Sequence, residues 1–156
     1  MLVKVSYVEF LLRGIPEGLL FYFAAYAFTK QRIHLKRYFL SCILQSVIVY
    51  LIRFLPIQNG TDAILNLILL ITLSVIINKF EIIQAIRAGI IIILLEFICE
   101  AINVYFIQFI LKKDLNLLFN NPMQKILYSS PSLLLFGCLA IGYYIILRKR
   151  NELKII

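Results

Sequence analysis

Glu96, Glu100 and Asn103 follow one another at spacings of four and three, so on a helix two carboxyls and an amide share one face. Two acids on one face need a cation. Arg13, Glu17 and Arg53 also lie within or beside long apolar runs. A charge near a bilayer centre costs roughly 2.5 to 3.5 kcal/mol on insertion scales, so each must face protein or water and find a partner. Three chemistries fit these six residues. They could form an internal ion-pair network in which Arg13 and Arg53 fix helix register. They could form the floor of an outward-open polar pocket that contacts a ligand. They could also line a proton or cation pathway in a small transporter.

The elements that carry these charges must be membrane helices. The chain has 156 residues, of which 62% are hydrophobic and 15% charged, with a mean hydropathy of +0.94. Its apolar residues come in blocks long enough to cross a hydrocarbon core of about 30 Å. That composition excludes a soluble domain. Once the spans are subtracted, no stretch remains to build a second core, so residues 1–156 read as a single polytopic membrane domain.

Five transmembrane helices are expected. The first covers about Val5 to Phe28 and carries Gly14-Ile15-Pro16-Glu17-Gly18 in its middle. Proline removes a backbone hydrogen bond and clashes with the preceding turn, so this helix should be kinked at Gly14–Pro16. Gly14 and Gly18 would let a neighbouring helix approach closely. The second span covers about Tyr38 to Leu55, and the third, about Ala63 to Ile77, is short for a crossing. The fourth, about Ile82 to Leu111, is long enough to require tilt or a projecting end. Asn120-Asn121-Pro122 reads as a helix start. The fifth span is placed at about Ser132 to Leu147, or begins earlier with a kink at Pro131. A six-segment arrangement would split the first stretch at its proline into a re-entrant half-helix and a crossing. Ala85 with Gly89, and Cys138 with Gly142, are close-packing marks on the fourth and fifth spans.

Orientation follows from the basic residues. The loop Thr29 to Arg37 holds Lys30, Arg32, His34, Lys36 and Arg37 and no acid, as a cytoplasmic loop does under the positive-inside rule. This puts the amino terminus outside and the carboxyl terminus inside, with Arg13, Glu17, Arg53 and the later part of the fourth span in the outer half of the bilayer. Glu9, Arg13 and Glu17 interrupt what a cleavable export signal would keep apolar. Ala24, Ala25 and Ala27 could still mimic a cleavage site.

Several chemistries find no support in the residues. Cys42, Cys99 and Cys138 are isolated and odd in number, so neither a disulfide nor a metal site is expected. His34 precedes Cys42 by eight residues, the parts of a cysteine peptidase, but it sits in a basic loop and no orienting acid or amide is evident. No catalytic residues, metal or cofactor are expected. The net charge of +8 is accounted for by topology and attraction to anionic membrane lipids, not by nucleic acid.

The order of features resembles one known family. Gly14-Ile15-Pro16-Glu17-Gly18, the basic loop Lys30 to Arg37, Tyr50-Leu51-Ile52-Arg53-Phe54-Leu55-Pro56, Leu94-Leu95-Glu96 and the exit Leu147-Arg148-Lys149-Arg150 are similar to the amino-terminal membrane sensor domain of Agr-type (accessory gene regulator) quorum-sensing histidine kinases. The resemblance implies a multi-pass protein of the bacterial cytoplasmic membrane that binds an extracellular peptide and passes a helix movement to a kinase. No phosphoacceptor or nucleotide-binding region is present here. A truncated sensor, a split receptor with its kinase on a separate chain and a repurposed module all remain open, as does homo-oligomerisation. A small transporter, or the substrate-binding membrane subunit of an uptake system, is the alternative from another class.

Overall fold

The computed structural model describes residues 7–52, 61–112, 114 and 120–154. Among these the backbone forms five helices. The first, α1, is continuous through Tyr7–Glu9, a wider π segment at Phe10–Gly14, and Ile15–Phe28. The others are α2 (Leu35–Ile52), α3 (Thr61–Ile76), α4 (Ile82–Tyr105, continued by a π segment at Phe106–Ile110) and α5 (Pro122–Lys149). Three are long and apolar enough to cross a membrane: Leu35–Ile52, Ile82–Ile110 and Met123–Lys149. The α-helical part of α1 after its π segment has 14 residues and α3 has 16, each shorter than a usual crossing.

Helix α1 is the central post and packs against all four others. Its small residues make this possible. Ala24, Ala25 and Ala27 are buried, so the alanine cluster that could mimic a cleavage site instead lets neighbours close onto the helix. Phe21, Tyr22 and Tyr26 fill the spaces between, with Phe21 edge-on to Phe136 of α5 at 5.8 Å. The outward faces are aliphatic and aromatic, for example Phe39 and Ile43 on α2, Ile83 and Leu94 on α4, and Leu127 and Leu134 on α5. Ser41, Gln45, Ser46, Ser74, Asn78 and Ser132 are buried between the helices. This inversion of the soluble pattern suits a hydrocarbon solvent.

Gly18 takes part in a close contact: a Cβ there would lie 2.9 Å from Ser46 Oγ and 3.6 Å from the Cys42 carbonyl, both on α2. Gly89 serves α3 in the same way, 2.9 Å from Leu67 Cδ1. On α5 the close approach falls on Gly137, which meets Leu20 of α1. Gly142 has nothing within 4 Å and Cys138 is exposed, so this pair does not mark a contact within the described residues.

Helix α5 starts at Pro122, at the Asn-Pro signal, and runs through Pro131, ten residues ahead of the Ser132 start. The hydroxyls of Ser130 and Ser132 donate to the Ile126 and Ser129 carbonyls at 2.7 Å each, and Asn103 of α4 donates to the Tyr128 carbonyl at 2.7 Å. These bonds engage the carbonyls on either side of Leu127, whose own helical donor the proline removes, and the helix continues through it.

Candidate functional site: an acidic cavity and a strapped basic end

Four helices converge on a cavity of about 210 Å³, lined by Arg13 and Glu17 of α1, Asp62 and Asn66 of α3, and Glu96 and Glu100 of α4, with the last turn of α2 as its fourth wall. Four carboxyls and one guanidinium therefore face one space among the described residues. Arg13 Nη2 donates to Glu100 Oε1 at 3.1 Å, and Arg13 Nε lies 3.8 Å from Glu17 Oε2, the i,i+4 neighbour on its own helix. The Glu17 and Glu96 carboxyls lie within hydrogen-bonding reach of each other. Behind them, Ser132 and Phe136 of α5 close against Arg13, Glu96 and Glu100.

A narrower crevice of about 20 Å³, room for about one water molecule, shares Glu17 and Asn66 with the cavity and reaches Gln45 and Ser46 on α2. Gln45 is 2% exposed. Its amide donates to Asn66 Oδ1 at 2.7 Å, and its Oε1 has no partner among the described residues. Deeper in the bundle the polar seam continues. Tyr26 donates to Asn78 Oδ1 at 2.8 Å, and the fully buried Asn78 amide donates to Ser41 Oγ at 3.1 Å.

Of the residues singled out by charge, Arg13, Glu17, Glu96 and Glu100 meet in the cavity. Asn103 does not line it and is occupied by the Tyr128 carbonyl. Arg53 lies outside the described residues. Asp62, Asn66 and Gln45 join the site unannounced. Asp62 and Asn66 stand four apart on the first turns of α3, and Gln45 is the one carboxamide in an apolar helix, which must find a partner there. Among the described residues no His, Cys, Asp or Glu group is arranged to hold a metal ion.

The other end of the bundle is basic and mechanically tied. Helices α1 and α5 both end in a Schellman motif with a left-handed non-glycine residue, Lys30 at φ 57° and Asn151 at φ 52°. Gln31 N donates to Tyr26 O at 3.0 Å and Lys30 N to Ala27 O at 3.1 Å; Glu152 N to Leu147 O at 3.1 Å and Asn151 N to Arg148 O at 3.2 Å repeat the pattern. The two ends are then bound together. Lys154 N donates to the Lys30 carbonyl at 2.7 Å, Arg32 N to the Lys154 carbonyl at 2.9 Å, and Lys30 Nζ pairs with Glu152 at 2.8 Å. Glu152 is thereby held below the usual carboxylate range, and Lys30 is raised above its ordinary value, each chiefly by their mutual hydrogen bond and charge attraction.

Comparison of the chain with protein-family models, curated proteins and solved structures returns no match.

Proposed function

We propose that this chain is a receptor-like module of the bacterial cytoplasmic membrane, without catalysis of its own, that senses an extracellular ligand such as a peptide and signals through a cytoplasmic partner. In this reading the amino terminus and the acidic cavity face outward, α1 bends at Gly14–Pro16, and the strapped basic end lies in the cytoplasm. All five helices then belong to the membrane domain, and the chain works as a homo-oligomer or beside a separate kinase or other signalling chain. The observation that carries it is that one helix joins both ends: α1 holds Arg13 and Glu17 in the cavity and Lys30 in the strap, roughly 25 Å apart at about 1.5 Å per residue. A ligand that binds one arrangement of α1 more tightly than another shifts the populations, by tenfold for each ~1.4 kcal/mol of difference. The strap passes that shift to the exit of α5.

A second reading, a small transporter or the substrate-binding membrane subunit of an uptake system, draws on the buried polar seam from Glu17 through Gln45 and Asn66 towards Asn78. Affinity purification from native membranes, with mass spectrometry of co-purifying chains and small molecules, separates the two. A kinase or regulator supports the receptor; an ATPase or transported solute supports uptake.

A further inference from the structure

The strap that joins α1 to α5 also borders a second, open cavity, of about 400 Å³, which the cavity at the acidic end does not touch. Its walls are of two kinds. Arg32, Arg148 and Asn151 supply two guanidiniums and an amide, and Ile33, Tyr144 and Leu153 supply apolar surface. The two arginines come from opposite ends of the sequence and are brought to one space by the backbone bonds between Lys154 and the Lys30–Arg32 turn. Tyr144 is held in place by the Phe23 ring of α1 at 5.1 Å.

The charge here is unspent. The nearby acid, Glu152, is taken by Lys30 at 2.8 Å, and neither Arg32 nor Arg148 has an ion-pair partner among the described residues. Two planar forks of N–H donors around one space suit the oxygens of a phosphate better than any single charge does. Three and seven residues before Arg148, on the same face of α5, lie Ile145 and Ile141, both exposed. A ligand seated between the arginines therefore has an aliphatic surface running away from its head.

We propose that this cavity binds the phosphate headgroup of an anionic phospholipid, with Arg32 and Arg148 on the phosphate, Asn151 at its rim and an acyl chain laid along Ile145 and Ile141 of α5. The membrane is the source because the cavity's charge lies beside exposed hydrocarbon on the same face of α5; a free phosphate would use only the first. Basic pockets at the cytoplasmic ends of membrane helices recognise anionic headgroups through this combination. The occupied site would brace the strap, since one headgroup would bridge the loop after α1 and the last turn of α5. The inference does not rest on the receptor reading and holds equally for a transporter.

The test is native mass spectrometry of the full chain purified from vesicles of phosphatidylcholine with or without phosphatidylglycerol, on wild type, Arg32→Gln, Arg148→Gln and the double variant, with Lys36→Gln/Lys79→Gln as a control matched in charge to the double variant. The expected result is retained phosphatidylglycerol on wild type and the control, and a loss of about tenfold or more in the double variant. Thermal unfolding in lipid-free detergent checks that the variants fold, and phosphatidylglycerol should raise the midpoint of wild type but not of the double variant. Equal retention by wild type and the double variant overturns the proposal. So does an equal stabilisation by inorganic phosphate alone, which would assign the arginines to a free anion.

Discussion

Arg13 of α1 and Glu100 of α4 meet at 3.1 Å across 87 residues of sequence, and their pair forms one wall of the acidic cavity. Glu17 and Glu96 stand beside it, so Arg13 faces more than one carboxyl. The two halves of the pair should therefore respond unequally to truncation. Arg13→Ala is expected to lower stability in detergent by about 1–2 kcal/mol, a figure discounted for partial exposure, because it leaves several carboxyls without the guanidinium that faces them. Glu100→Ala should cost less, since Arg13 retains Glu17 as its neighbour. In the double variant the loss should fall short of the sum by roughly 0.5–1 kcal/mol. Thermal unfolding of all four proteins measures the coupling, and additive losses would remove the pair from the account.

Asn78 joins three elements through two hydrogen bonds, accepting from Tyr26 and donating to Ser41, with no exposure at all. Asn78→Leu strands both partners in an apolar interior and is expected to cost about 2–3 kcal/mol. Tyr26→Phe removes one hydroxyl and keeps the edge-on contact with Phe80 at 4.9 Å, so about 1 kcal/mol is expected. Folded fraction under increasing denaturing detergent ranks the two, and a reversed order would place the stabilisation in the Tyr26 hydroxyl instead of the Asn78 amide.

Two glycines make a matched contrast. Gly18→Ala puts a methyl 2.9 Å from Ser46 Oγ at a backbone-close crossing of α1 and α2, which should cost roughly 1–3 kcal/mol. Removing that oxygen with Ser46→Ala should recover part of the loss. Gly142→Ala meets nothing within 4 Å and should be neutral or stabilising by up to about 1 kcal/mol through helix propensity. If both alanines prove neutral, α1 and α2 are further apart than the contact implies.

These cases show which features could be read from the chain and which could not. Apolar runs broken by Gln58-Asn59-Gly60 or Asn78-Lys79 mark helices because each break is costly in hydrocarbon. The start of α5 was harder: Pro131 reads as a break, yet the helix runs through it, with Ser130, Ser132 and a residue of another helix, Asn103, bonded to the carbonyls of that turn. The same bond explains why Asn103 leaves the face of Glu96 and Glu100: one turn further along α4, that face meets α5 instead of the cavity. Charges inside apolar runs announced Arg13, Glu17, Glu96 and Glu100, whereas Asp62 and Asn66 looked like part of a solvated turn. Gly137 and Gly142 are both small residues on α5, and only packing tells which one carries a neighbour.

The strap at the basic end makes a pH-dependent prediction with a definite sign. Glu152 has its carboxyl held below the usual 4.5 and Lys30 its ammonium above the usual 10.5, both exposed and each stabilising the other's charged form. For the acid, the contribution is complete above the unfolded value of 4.5 and disappears as pH falls through the lower folded value. For the base, it is complete below 10.5 and disappears as pH rises through the higher folded value. The strap should therefore be tightest on a broad plateau between those limits and loosen at both ends. The Lys154 amide, which donates to the Lys30 carbonyl at 2.7 Å, reports this directly. Its hydrogen-exchange protection, corrected for intrinsic rates, should fall on the acid side in wild type and show no acid step in Glu152→Gln. Added salt should lower the plateau, because an exposed pair is screened. An unchanged acid step in the variant would mean that a titrating group other than Glu152 loosens the strap, whereas no acid step in wild type would mean that the tail is held by its backbone bonds alone.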